Sequence, residues 1–269
     1  MRRARHSVGE TQALLELHET SGGHFTFDLT PELARFDGRL FGGAGLAAAV
    51  AALEAETARN TLWATVQFVG TAEVGDPIDC HVEVLAAGHN TTQARVTATT
   101  GDRIVFLALG STARTRDDAF GAALGSMPSL PGPDECAPWE PAFPVPAETV
   151  TARGPFATAE FRVATGADGS GMLWARMKGR HQSRMTVAYL GDFVPSAVLR
   201  AAGRNGGGTS LDNSIRFGKA PSPGTDWILI DTEPHLADSG YVHGAARLWS
   251  ADGQLLAVAS QTAVAKIFD

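Results

Sequence analysis

The chain has 269 residues, 44% hydrophobic and 19% charged, which excludes a disordered polypeptide and leaves apolar surface for a sizeable core. Its 22 Lys and Arg against 29 Asp and Glu give a net charge of −7, which argues against a nucleic-acid binder, since those carry a basic stripe. Two cysteines, Cys80 and Cys136, are too few for a disulfide framework or a Cys-only zinc site and point to a reducing compartment. The start MRRARHS is basic, but polar residues follow it in place of an apolar run, so no secretory signal is expected. The longest apolar run, 44–53, is too short to span a bilayer. These features predict a soluble, cytoplasmic protein.

In chain order, residues 25–29 alternate as a strand. Leu46, Val50, Leu53 and Thr57 then mark a helical stripe, and alanines fill the remaining faces, so the spacing predicts a buried helix over 42–59. Segments 61–69, 78–85, 91–99 and 103–113 are rich in Val, Thr, Ile and Phe and are divided by turn residues, which predicts four antiparallel strands. Residues 117–150 hold seven of the 14 prolines, a density that excludes helix and central strand and predicts an extended connector. The sequence then repeats itself. A strand at 173–177 precedes a helix at 193–204 and strands at 211–217, 227–233, 241–249 and 254–267.

Sliding the chain against itself by 149 residues superposes the halves in order and character. Leu40-Phe-Gly-Gly43 falls on Tyr189-Leu-Gly-Asp192, Val66-Gln-Phe68 on Ile215-Arg-Phe217, and Gly75 on Gly224. After a two-residue insertion, Gly110 falls on Gln261. One helix followed by a meander, twice over, predicts an α+β pseudo-dimer with an N-terminal repeat at 1–116, a connector at 117–150 and a C-terminal repeat at 151–269.

Gly43-Ala-Gly45-Leu-Ala-Ala48 matches GxGxxA, but no buried strand precedes it and Trp63 stands where a dinucleotide site needs an acid. Close packing at the entry to a crowded helix is the better reading of these glycines. The eight histidines show no metal-binding spacing; His81 and His89, like His235 and His243, are eight apart. Ser170 lies in a glycine-rich loop, and no nucleophile elbow or phosphate loop occurs. Asp192 stands just before the second helix, where it reads equally as an N-cap and as a functional acid. Its counterpart is Gly43, which suggests one working site and one relic. Gln261 lies on a strand face of small residues, Ala257, Ala259, Ala263 and Ala265, and faces Gly110 in the alignment. Ser210 opens the first strand after the second helix.

Together these segments give the chain a resemblance to the acyl-CoA thioesterase II (TesB-like) family, built as a double hotdog in which each antiparallel sheet wraps a central helix. The likeness is carried by Arg39-Leu-Phe-Gly-Gly43, by Asp192, by Ser210-Leu-Asp-Asn-Ser-Ile-Arg-Phe217, by Asp226-Trp-Ile-Leu-Ile-Asp-Thr-Glu233 and by Gly253-Gln-Leu-Leu-Ala-Val-Ala-Ser-Gln261. It implies hydrolysis of acyl-CoA by water held on Asp192, Ser210 and Gln261. Pro195 lacks an N–H, so the backbone N–H groups of Phe193 and Val194 become the expected oxyanion donors. Gly42, Gly43 and Arg216 are the expected substrate-binding positions, with no cofactor and no metal. Pairing of copies through exposed sheet edges would make a homo-oligomer. Three departures are visible. Ala44 replaces a common glutamine, and Arg216 and Gly218 replace bulky aromatic residues of the family's Asp-His-Ser-Met-Trp-Phe-His segment. Competing readings are a non-catalytic acyl-CoA binder, a structural protein with a relic site, and an enoyl-CoA hydratase or dehydratase. The last needs a His soon after the acid, and none follows Asp192 until His235.

Overall fold

A computed structural model describes residues 13–116, 120–122, 124–140, 143–166, 171–222 and 224–268. The basic start, Asp117, Pro141, Ser170 and Pro223 lie outside them. In the N-terminal half come β1 (His18–Ser21), β2 (His24–Asp28), α1 (Gly42–Thr57), β3 (Asn60–Phe68), β4 (Pro77–Ala87), β5 (Thr91–Thr100) and β6 (Arg103–Ala113). The connecting region carries β7 (Ala137–Pro138), α2 (Ala147–Thr151) and α3 (Gly154–Thr158). The C-terminal half has β8 (Ala159–Thr165), β9 (Gly171–Met177), α4 (Arg184–Leu190), α5 (Val194–Ala201), β10 (Gly206–Phe217), β11 (Trp227–Asp238), β12 (Tyr241–Ser250) and β13 (Leu255–Ile267). All thirteen strands join one antiparallel sheet in the order β1-β2-β4-β5-β6-β3-β10-β13-β12-β11-β9-β8-β7.

The halves meet at β3 and β10, and the register there is that of a two-fold. Thr65 pairs with Ser214, its own counterpart 149 residues on, and their hydroxyls stand 2.9 Å apart. Either side of this axis the pairings repeat. Ala64 opposes Gly110 in one half and Asn213 opposes Gln261 in the other, which reproduces the alignment and its two-residue insertion. Gly75 and Gly224 both close turns at positive φ, +97° and +92°. This is the double-hotdog arrangement that the resemblance implies.

In the first half α1 is buried nearly all round, with Leu46, Val50 and Leu53 fully enclosed. Its glycines permit close approach: a Cβ on Gly43 would run into the Tyr189 carbonyl, and one on Gly45 would stand 2.8 Å from the Phe68 ring. The expected helix at 193–204 is shorter, Val194–Ala201, and α4, absent from the sequence reading, precedes it. Pro195 accounts for the break. Its ring displaces the carbonyl four residues earlier and offers no N–H to it, so a helix cannot run through Gly191. Asp192 stands on that break.

The connector is docked on the C-terminal half. Ala137 and Pro138 add a short edge strand against Val163 and Arg162, a position where proline is tolerated. Trp174 donates its indole N–H to the Pro131 carbonyl at 3.1 Å. The Trp139 amide donates to the Phe161 carbonyl at 3.0 Å, which fixes the indole above the core. No helix of the described residues is long and apolar enough to cross a membrane.

Candidate active site

Asp192 does not cap its own helix; Phe193 is the N-cap of α5 and offers no side-chain cap. The Asp192 carboxylate crosses the two-fold instead. Its Oδ2 accepts the N–H of Gly43, at the start of α1, at 2.8 Å. A carboxylate at a helix N-terminus is favoured by the free N–H groups and the helix dipole. The cap that the sequence suggested therefore exists, but on the helix of the other half.

Three side chains of the C-terminal half converge on Oδ1. Gln261 donates to it through Nε2, and the same Nε2 also lies 2.8 Å from Ser210 Oγ. Asn213 Nδ2 donates at 3.2 Å and Ser210 Oγ at 3.4 Å. Gln261 and Asn213 are cross-strand partners, which is how β10 and β13 bring two amides to one oxygen. Sequence reasoning missed Asn213. Strict alternation from Ser210 puts residue 213 on the opposite face. A bulge at Leu211 shifts the phase and turns both inward. The same bulge recurs at Leu62 in β3.

Asp192, Asn213 and Gln261 are buried, and the carbonyl oxygens of both amides have no partner among the described residues. Burial pushes the Asp192 carboxyl up to about 6, against the pull of its four hydrogen-bond donors. A carboxylate that titrates near neutrality is suited to exchange protons with water or substrate. Access comes through Gly42. A Cβ there would stand 2.7 Å from Asp192 Oδ2 and 2.8 Å from Ser210 Oγ, so only glycine leaves the approach to both oxygens open.

That approach opens into a cavity of about 680 Å³ lined by Gly42, Asp192, Phe193 and Ser210 together with the connector and the chain end. Six cationic and three acidic side chains line it, an excess of positive charge in a chain that is negative overall. Arg35 is paired with Asp37 and reaches Thr209 Oγ1 at 3.5 Å. Burial and the neighbouring Arg35 charge hold Lys266 below the usual lysine range. These cations come from separate segments and were scattered in the sequence.

Not every expected residue reaches this cavity. Gly42 and Phe193 line it. Gly43 lies behind Gly42 as the donor to Asp192. Val194 is buried and packs toward Gly244 on β12. Arg216 points outward from β10 and does not line the cavity, because Ile215 and Asn213 occupy the inner face. Two histidine pairs form across strands, His24 stacked on His81 and His235 Nδ1 3.2 Å from His243 Nδ1. Among the described residues no group of three His, Cys, Asp or Glu could hold a metal ion.

Family models for the acyl-CoA thioesterase N-terminal and C-terminal domains match residues 30–113 and 126–265. The chain belongs to the acyl-CoA thioesterase family. It is an enzyme of thioester hydrolysis with acyl-CoA as its substrate class. No curated protein matches it. Among solved structures, a protein of Novosphingobium aromaticivorans assigned as a thioesterase is 31% identical, with 93% of this chain and 98% of that one covered and a TM-score of 0.82. The tesB protein of Mycobacterium avium subs paratuberculosis is 20% identical over 93% and 96%, TM-score 0.75. The acyl-CoA thioesterase II TesB2 of Mycobacterium marinum is 16% identical over 94% and 97%, TM-score 0.73. Those two likenesses describe the fold.

Against the thioesterase pattern, the departures at 216 and 218 lie off the cavity. Gly218 is explained by packing, because a Cβ would run into the Leu255 carbonyl. Ala44 is fully buried in α1. Neither cysteine is a nucleophile candidate; burial pushes the Cys80 thiol up to about 12, which keeps it protonated.

Proposed function

We propose that this thioesterase hydrolyses acyl-CoA by direct attack of a water activated on Asp192. Oδ1 is occupied by Gln261, Asn213 and Ser210, so proton transfer falls to Oδ2, on the side opened by Gly42. The water gives its proton to Oδ2 while its oxygen bonds to the acyl carbon. Ser210, which lines the cavity, orients it, and Gln261 holds Ser210 and Asp192 in place through its Nε2. Collapse of the tetrahedral intermediate breaks the C–S bond, and the departing thiolate takes the proton from Asp192. The Phe193 N–H at the entry to α5 and the Gly42 N–H at the entry to α1 would donate to the developing oxyanion; neither meets a backbone acceptor among the described residues. The N–H of Val194, the first residue of α5, is a further donor at the same helix end. The cationic rim suits the phosphates of CoA.

The observation that carries this reading is a buried carboxylate, raised to about 6, whose remaining oxygen faces the cavity past a glycine. Its test is release of free thiol from acyl-CoAs of increasing chain length, with Asp192→Asn alongside. A positioned general base contributes roughly 100- to 10,000-fold, and a loss of that size is expected in a folded variant. Tight acyl-CoA binding without turnover in the native enzyme would replace the proposal with a binding role for this site.

A further inference from the structure

The chain has 20 aromatic residues, and eight of them line this one cavity. Seven of the eight are joined ring to ring, and Phe68 instead meets Phe106, which does not line the cavity. Phe193, next to the acid, lies 6.2 Å from Trp139, which lies 5.2 Å from Phe156. Phe156 lies 5.7 Å from Phe143, which in turn lies 5.0 Å from Phe36 and 5.4 Å from Phe268. The wall thus starts beside Asp192 and runs outward along rings supplied by the connector, α3, the first loop and the chain end. The rings on it beyond Phe193 are half-buried, each leaving surface toward the cavity. No methionine of the described residues lines it.

We infer that the acyl group this enzyme prefers carries an aromatic ring. The inference rests on the thioesterase reading and names the substrate class of the same site. A flexible alkyl chain is best held by adaptable side chains such as Met; the lining has none among the described residues and carries the leucines Leu40 and Leu211 beside its eight rings. Rings locked in tilted and edge-on contact offer fixed faces and edges, which suit another ring in offset or T-shaped contact. A quaternary or primary cation, the other ligand of aromatic cages, is repelled here by the excess of cationic side chains around the wall. Arg153 donates to the Phe36 carbonyl at 3.2 Å, so a long alkyl chain following the rings meets a guanidinium at their end.

The test compares two acyl-CoAs of nine carbons, 3-phenylpropanoyl-CoA and nonanoyl-CoA, on the native enzyme and on Trp139→Leu. One or two extra ring contacts amount to about tenfold, and the aryl substrate is expected to lead by that factor in kcat/KM. In Trp139→Leu the ratio of the two values falls toward one, a readout that general damage to the enzyme does not move. A native ratio at or below one overturns the inference while leaving thioester hydrolysis standing. If neither thioester is turned over, the thioesterase reading fails first. Calorimetry with the two intact acyl-CoAs then decides the inference on its own: about tenfold tighter binding of the aryl thioester upholds it, and equal or weaker binding rejects it.

Discussion

The two halves of the molecule share one design and differ at four positions that decide which of them holds the site. At the register set by the two-fold, the C-terminal half carries Asp192, Ser210, Asn213 and Gln261, where the N-terminal half carries Gly43, Thr61, Ala64 and Gly110. The N-terminal set is packed shut. A Cβ on Gly110 would run into Leu53 of the unbroken helix α1, and the buried Thr61 hydroxyl has no partner among the described residues. In the C-terminal half, Pro195 breaks the helix where Leu46 continues it, and the space is taken by the Gln261 amide and the acid.

The difference also explains why only one acid is present. Gly43 and Asp192 are counterparts, and they touch: the amide of one donates to the carboxylate of the other at 2.8 Å. An acid at both positions would place two carboxylates together on the axis, where they could not both ionise. One half must supply the N–H groups and the other the charge. The single site is thus a consequence of where the axis runs.

Four substitutions each give a C-terminal residue its N-terminal counterpart. Asp192→Gly removes the base and is expected to lower kcat by about 1,000-fold or more, measured by thiol release. Gln261→Gly deletes a donor shared by Asp192 and Ser210, and about a 100-fold loss in kcat is expected if water positioning is its role. Asn213→Ala removes a donor that favours the charged carboxylate, so Asp192 titrates higher and the acid limb of the pH–rate profile moves above 6, with a loss of about twofold at about pH 7 for a rise of roughly one pH unit. Ser210→Thr keeps the hydroxyl and should change kcat by only about threefold. If Asn213→Ala left the profile in place, the amide would be structural and the contrast with Ala64 would carry no chemistry. Outside this set, Gly42→Ala puts a methyl against both oxygens and is expected to abolish turnover and to lower the stability by about 1–3 kcal/mol, read as a drop in melting temperature.

The module was legible in the sequence because it is built from local signals: alternation, turn glycines and a helix apolar on every side. The offset of 149 even anticipates which hydroxyls face each other on the axis. Asp192 and Gln261 stand out as polar residues where the other half has glycine, and Ser210 enters with them through the family resemblance. What stayed hidden depends on tertiary placement. Asn213 is turned inward by a bulge that alternation cannot foresee. Helix α4 has no helical counterpart in the first half, where residues 35–41 form a loop, so the repeat gave no hint of it. The connector reads as a proline-rich spacer, yet Trp139 and Phe143 on it line the cavity. The cationic rim gathers residues from both ends of the chain.

The pH dependence of kcat/KM on a short acyl-CoA, taken on the native enzyme and on Asp192→Asn, tests the role of the acid most directly. A base raised to about 6 must be deprotonated to act, so the rate falls as pH drops below 6 and is level above it, and the variant loses the rate across the whole range. A native rate that stays level from about pH 8 down to pH 4, or an Asp192→Asn enzyme that keeps full turnover, would contradict it.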